Sequence, residues 1–171
     1  MLDITAIEDA IYAWVSGASG IETIIAFPNA PRPKTQYALI NIVTNTPVGV
    51  ADRGYTLQGD DSIDVEYSNV EDVLVSINVY YDGAYAMATK IKDSLARVKI
   101  TDALFEAGLG YSRATTVNHI PEEIDKEFEQ RAQFDCYFFT RSLDAEENIA
   151  TIQKIQITNE LDGETVTIEK P

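Results

Sequence analysis

Between residues 131 and 141 the chain alternates. Ala132, Phe134, Cys136 and Phe138 fall on one side of an extended backbone, and Arg131, Gln133, Asp135, Tyr137 and Phe139 on the other. Successive side chains of a strand point to opposite faces, so a period of two with one apolar side requires a sheet with a core on that side. Residues 73–81 repeat the pattern: Val73, Val75, Ile77, Val79 and Tyr81 point one way, Ser76, Asn78 and Tyr80 the other. Residues 37–43 read as a buried strand broken only by Asn41, and residues 21–27 and 62–67 as further short strands. A sheet of this kind needs an apolar layer over one face.

Helices are expected to supply that layer. Ile4, Ile7, Ile11 and Trp14 recur at steps of three and four, which places them on one face of a helix and makes Trp14 its core anchor. Thr5 with Glu8 forms a capping-box pattern, Asp3 is an alternative N-cap, and Gly17 and Gly20 are expected to end the helix. After Asp82-Gly83, the series Ala84, Ala88, Ile91, Leu95 and Val98 predicts a longer helix whose solvent face carries Lys90, Lys92, Arg97 and Lys99. Thr101 is expected to cap a short helix stopped by Gly108 or Gly110.

Turns and connections complete the plan. Three prolines within residues 28–33 forbid a helix there, and the Gly- and Asp-rich residues 47–61 read as a loop or a protruding hairpin. Residues 111–118 and 131–141 read as a strand pair joined by the acidic residues 121–129. Residues 152–157 and 165–169 flank Asp162-Gly163, a hairpin signal. The order predicts a single-domain α+β fold: a mostly antiparallel sheet, an N-terminal helix and one or two central helices packed on one side, and a C-terminal hairpin. Residues 1–157 are expected to form the domain, with 158–171 as an extension.

With 13 basic residues against 28 acidic ones, the net charge is −15. Affinity for nucleic acid comes chiefly from Lys and Arg displacing counterions, so this balance argues against binding DNA, and likewise against binding anionic membranes. It fits either simple solubility or a surface that DNA passes without sticking. Catalytic chemistry finds no foothold. His119 is the sole histidine and Cys136 the sole cysteine, so a two-histidine metal site and an internal disulfide are out of reach, and Cys136 reads as a buried, inert thiol. Gly108-Leu109-Gly110 lacks the third glycine of a phosphate loop, and Asp60, Asp61, Asp64 and Glu66 lack the spacing of a calcium loop. No catalytic, cofactor or metal residue is therefore expected. The N-terminus has no signal-peptide pattern, and no apolar run approaches the ~20 residues of a membrane helix.

Two distant stretches bring a family into view. Ile11-Tyr12-Ala13-Trp14-Val15 is followed by Ser19-Gly20-Ile21, Ala30-Pro31-Arg32-Pro33 and Tyr37-Ala38-Leu39-Ile40, and far downstream by Glu129-Gln130-Arg131-Ala132-Gln133-Phe134-Asp135. To about Ile157 this resembles the neck or tail terminator family of contractile-tailed phages. The resemblance implies a hexameric ring that caps the tail tube, ends its polymerisation and joins the tail to the head connector. Partners would be further copies of the chain, the tube and sheath proteins and the connector, with DNA passing through the channel without specific binding. The place of action would be the virion neck, after synthesis in the host cytoplasm. Alternatives are a head–tail connector adaptor or another tail-completion protein and, from a different class, a small-molecule-binding or enzymatic α+β domain. For a ring, the expected subunit contacts pair Lys90, Lys92, Arg97 and Lys99 with acidic segments such as Asp61, Asp64 and Glu66 or residues 122–129. Tyr80, Tyr137 and Phe139 would supply apolar area, since the aromatics exceed what one sheet face should bury.

Overall fold

The computed structural model describes residues 2–26, 31–57, 62–124, 127–150, 154–158 and 165–169. The chain divides into two compact units, residues 1–50 with 69–142 and residues 51–68 with 143–171. The α+β class expected from the element order is the one observed. No helix among the described residues is long and apolar enough to cross a membrane.

The larger unit is built on a sheet of order β1-β2-β3-β8-β4, with β5 pairing β8. It takes in β1 (Glu22–Ile25), β4 (Gly110–Ala114) and β5 (Asn118–His119) whole, together with β2 (Tyr37–Leu57) as far as Val50, β3 (Ser62–Tyr80) from Asn69 and β8 (Arg131–Ala150) as far as Ser142. β1 runs parallel to β2, while β4 and β5 run antiparallel to β8. The helices are α1 (Ile4–Ser19), α2 (Ala84–Ser94) and α3 (Val98–Glu106). The alternation becomes a core: Val73, Val75, Ile77 and Val79 of β3, with Ala132, Phe134, Cys136 and Phe138 of β8, are fully buried. They form one apolar cluster with Ile7, Ile11 and Trp14 of α1 and Ala88 and Ile91 of α2.

Local signals settle most helix ends. The Asp3 side chain accepts from the Ala6 amide and caps α1, in preference to Thr5, and Gly20 ends it at φ 74°. Gly17 lies inside α1 and does not stop it. Beyond α3, the Gly108 N–H bonds to the Phe105 carbonyl and the Leu109 N–H to the Leu104 carbonyl. Gly108 takes φ +83° and both leucines are buried, so a glycine-centred cap with its apolar clasp ends the helix.

The strands are longer than the composition suggests. Residues 47–57 continue β2, and residues 62–80 form one strand where two were expected. β3 lies beside β2, so pairing satisfies the backbone there, while residues 43–50 and 52–57 expose their side chains and tolerate a polar, glycine-bearing sequence. β8 likewise continues past Arg141 to Ala150. Tyr81 does not extend β3; it turns away at φ 70°.

The expected helix over residues 84–98 is two helices. The Leu95, Ala96 and Arg97 amides bond to the Lys92, Asp93 and Ser94 carbonyls, tightening the turn, and Arg97 is extended (φ −89°, ψ 121°). Val98, expected in the core, is 71% exposed because it opens α3. Thr101 lies inside α3, its hydroxyl bonding back to the Val98 carbonyl, and Arg97 holds the N-cap without a side-chain bond.

In the smaller unit, β9 (Lys154–Thr158) pairs antiparallel with β10 (Thr165–Glu169), the expected hairpin partners. Ile157 lies opposite Val166, and both are more than half exposed, as is Ile168. The Arg53 guanidinium stands 5.8 Å from the centre of the Tyr67 ring. Phe27, Pro28, Asn29, Ala30, Asp60, Asp61, Ile152, Asp162 and Gly163 lie outside the described residues.

Candidate functional site

Three segments far apart in sequence meet at one end of the sheet of the larger unit: residues 31–37, 80–83 and 122–124 with 127–131. At the centre is Arg32. Its Nε donates to the Tyr37 hydroxyl at 2.9 Å, and its Nη2 pairs with Glu129. Its guanidinium carbon stands 5.7, 5.0 and 5.4 Å from the ring centres of Tyr37, Tyr80 and Tyr81. The Tyr37 and Tyr80 rings stack at 4.8 Å and 12°. An arginine over aromatic faces gains from their negative quadrupole, about 0.5–1 kcal/mol per ring at exposed sites.

A second arginine completes the cluster. Arg131 stands 5.5 Å from Tyr80, donates through Nε and Nη2 to the Asn78 side-chain carbonyl at 3.2 and 3.0 Å, and pairs with Glu122 through Nη1. Glu122 and Glu129 are opposite residues of a short antiparallel hairpin, β6 (Glu122–Ile124) and β7 (Glu127–Glu129). Two carboxylates directly opposite would repel. Here each takes its own arginine.

The turn into α2 is tied to the same point. The Tyr81 N–H bonds to the Gln130 carbonyl at 2.9 Å and its hydroxyl donates to the Pro33 carbonyl at 2.9 Å. Gln36 donates to the Asp82 carbonyl at 2.8 Å, and the Gln130 side-chain carbonyl accepts from the Gly83 amide at 3.2 Å. Tyr81 is the positive-φ non-glycine residue of the described backbone, a conformation that costs about 1–2 kcal/mol. Its two hydrogen bonds and its edge contact with Tyr37 at 6.1 Å hold it there. Burial raises the Tyr37 pKa against the lowering pull of Arg32. Burial lowers that of Arg32, yet its bonds and charges with Tyr37 and Glu129 raise it overall. Every charge at the centre of this cluster is matched, which suits it to fixing the shape of a surface.

The residues singled out in the sequence are dispersed. Lys90, Lys92, Arg97 and Lys99 do not share one helix face: the first two lie on α2, Arg97 precedes α3 and Lys99 is within it. Lys90 reaches the Ser19 carbonyl at 3.3 Å, whereas Lys92 sits beside Asp93 and, in a shallow depression, Tyr111 and Ala114. Tyr80 is engaged between the two arginines. Tyr137 lies under Arg113, whose guanidinium carbon is 3.8 Å from the ring centre, and Phe139 is 42% exposed. Asp64 is half-buried, Glu66 is exposed, and Asp61 lies outside the described residues. Trp14 is 4% exposed, donates to the Ser94 hydroxyl at 2.9 Å and meets Phe138 edge-on at 6.0 Å.

Sequence reasoning gave Arg32, Tyr37 and Arg131 no role, although all stand in the quoted stretches, and took Glu129 only as part of the acidic residues 122–129 offered as a subunit contact. Glu122 and Phe128 were merged into an acidic connection. The available signal was a pair of isolated arginines, each beside an aromatic or acidic stretch, in a chain short of cations.

No curated protein sequence matches the chain. Among solved structures, one similar chain is described as the sheath/tube terminator, in the extended state, of an extracellular contractile injection system. The identity is 9% and the TM-score 0.48, over 94% of this chain and 64% of that one. This chain thus spans less than two thirds of that protein's length, and a likeness at this level carries no argument. A family model described as phage neck terminator protein matches residues 5–164, taking in every segment of the arginine–tyrosine cluster. The chain belongs to the phage neck terminator family.

Proposed function

We propose that this protein ends the tail of a contractile-tailed phage as one subunit of a ring, six copies by the family resemblance, seated on the end of the tail tube. It stops tube polymerisation and presents a face to the head-side connector, with sheath protein as a further neighbour. Its role is structural, without catalysis, and it works in the virion neck after synthesis in the host cytoplasm. The observation that carries this reading is the family match over residues 5–164. The cluster agrees with it: Arg32 pairs with Glu129 and Arg131 with Glu122, an arrangement that stiffens a surface and leaves no base or nucleophile poised at its centre. The net charge of −15 suits a channel through which DNA slides. Lys90, Lys92, Arg97, Lys99, Tyr137, Phe139, Asp64 and Glu66 are proposed as subunit contacts.

The test is genetic and visual. A phage lacking this protein should make overlong or headless tails in electron micrographs, and purified protein added to such extracts should restore normal length and infectivity. Tails of normal length that lack only heads would instead identify a connector adaptor. A bound density on isolated tube ends, absent from the mutant, is the direct expectation.

A further inference from the structure

We infer that the β6–β7 hairpin is a docking element: Phe128 and Glu123 seat on the α2–α3 corner of a second copy of this chain, around Arg97, Val98 and Lys99. This rests on the ring reading and assigns it a seam.

The hairpin has three residues per strand, too few to stand alone in water. It is held because Glu122 and Glu129, on one face, are each drawn in by an arginine. The next pair in register, Glu123 and Phe128, must point to the opposite face. There Phe128 is 77% exposed and Glu123 is exposed as well. A large aromatic ring presented on a pinned hairpin loses little freedom on binding, which is the usual character of an interface hot spot.

Charge selects the occupant. Glu122 and Glu129 are taken up by their arginines, which leaves exposed Glu123 beside Phe128 on the outward face, so the complementary surface is cationic with an apolar centre. In a chain of net charge −15 such surface is scarce. The α2–α3 corner provides two such cations: Arg97, Val98 and Lys99 are consecutive and exposed, with Asp102 and Glu106 bordering Val98 and Lys99 on one side, and Phe105, two turns along the same face of α3, is 74% exposed.

Placement supports a head-to-tail contact. Gln130, next to Arg131, holds the Tyr81 amide just before α2 begins. α2 then runs 11 residues, about 16 Å, away from the hairpin. Its far end packs near Tyr111 and Ala114, which pair with Phe138 and Cys136 well along β8. Hairpin and corner therefore lie apart on the larger unit, as the two unlike faces of a head-to-tail ring subunit must.

The test uses the full chain in solution, with assembly read by sedimentation and negative-stain imaging and folding by the fluorescence of its single tryptophan. The wild type should form rings. Phe128→Ser, and Arg97→Glu with Lys99→Glu, should each weaken assembly at least about tenfold while the subunit stays folded, and Glu123→Lys with Lys99→Glu should recover part of it. Phe128→Cys combined with Val98→Cys should give a ladder of disulfide-linked multimers on mild oxidation, because Cys136 is buried and does not compete. Rings that persist in these variants without a ladder overturn the seam and leave the ring standing. Dispersal by Phe128→Ser without a ladder overturns the corner as the seat of Phe128. A wild type that is monomeric at every concentration and leaves isolated tube ends bare overturns the ring, and the seam with it.

Discussion

Glu122 and Glu129 face each other across a hairpin of three residues per strand, and each is neutralised by a different arginine, Arg131 and Arg32. Removing either arginine leaves a carboxylate pair with one partner. Arg131→Met also strips both hydrogen bonds from the Asn78 side-chain carbonyl. With the ion pair discounted for its solvent exposure, the loss should be about 2 kcal/mol by chemical denaturation, and adding Glu122→Gln should recover part of it. Equal stability of Arg131→Met and wild type would mean that the pairing holds nothing.

Trp14 separates packing from hydrogen bonding. It is almost fully buried and its indole N–H meets Ser94, whose hydroxyl donates in turn to the Ile91 carbonyl at 2.6 Å. Trp14→Ala should cost about 3–5 kcal/mol, whereas Trp14→Phe keeps most of the ring and should cost less. Ser94→Ala should cost about 1 kcal/mol, since it leaves the indole N–H buried without its acceptor. Thermal melts followed by circular dichroism rank the three, and any other order places the stabilisation elsewhere.

Gly17 and Gly108 should respond with opposite signs to the same substitution. Neither would bring a new methyl against another atom. Gly17 lies inside α1, so Gly17→Ala should stabilise by about 0.5–1 kcal/mol through lower chain entropy. Gly108 holds φ +83°, so Gly108→Ala should destabilise by about 1 kcal/mol. Midpoints of urea unfolding that shift in the same direction would refute the conformational argument.

Cys136 should make the fold sensitive to alkali. Burial, then the neighbouring Asp135 charge, raises its thiol from 9.0 to about 12. The folded state holds that proton more tightly than the unfolded state does. The contribution is therefore whole below the unfolded value near 9.0 and is lost as pH rises toward about 12. In that window the slope should be about −1.4 kcal/mol per pH unit from this group. Cys136→Ala should unfold with a shallower pH dependence there, and the native thiol should resist alkylation at pH 8. Ready labelling of folded protein would contradict its burial.

The two apolar alternations and the period of α1 gave, without help from the fold, most of the buried residues: Ile7, Ile11 and Trp14, though Ile4 of the same period is 39% exposed at the start of the helix, Val73, Val75, Ile77 and Val79 of β3, and Phe134 and Phe138. Those patterns are local, because face and period follow from backbone geometry alone. Ends marked by special backbone chemistry, at Asp3, Gly20 and Gly108, were legible only as one of two candidates each, and the structure chose between them. What the sequence could not decide was anything that depends on a neighbour. The polar residues 47–57 become strand because β3 lies beside them, and Val98 leaves the core because the turn at Arg97 rotates it out. The pairing of Arg32 with Glu129, 97 residues apart, exists only once β2, β3 and β8 are side by side. Long-range partners of charged residues carry no period to read. The tertiary structure alone turned an arginine among prolines, a tyrosine and an acidic connection into one site.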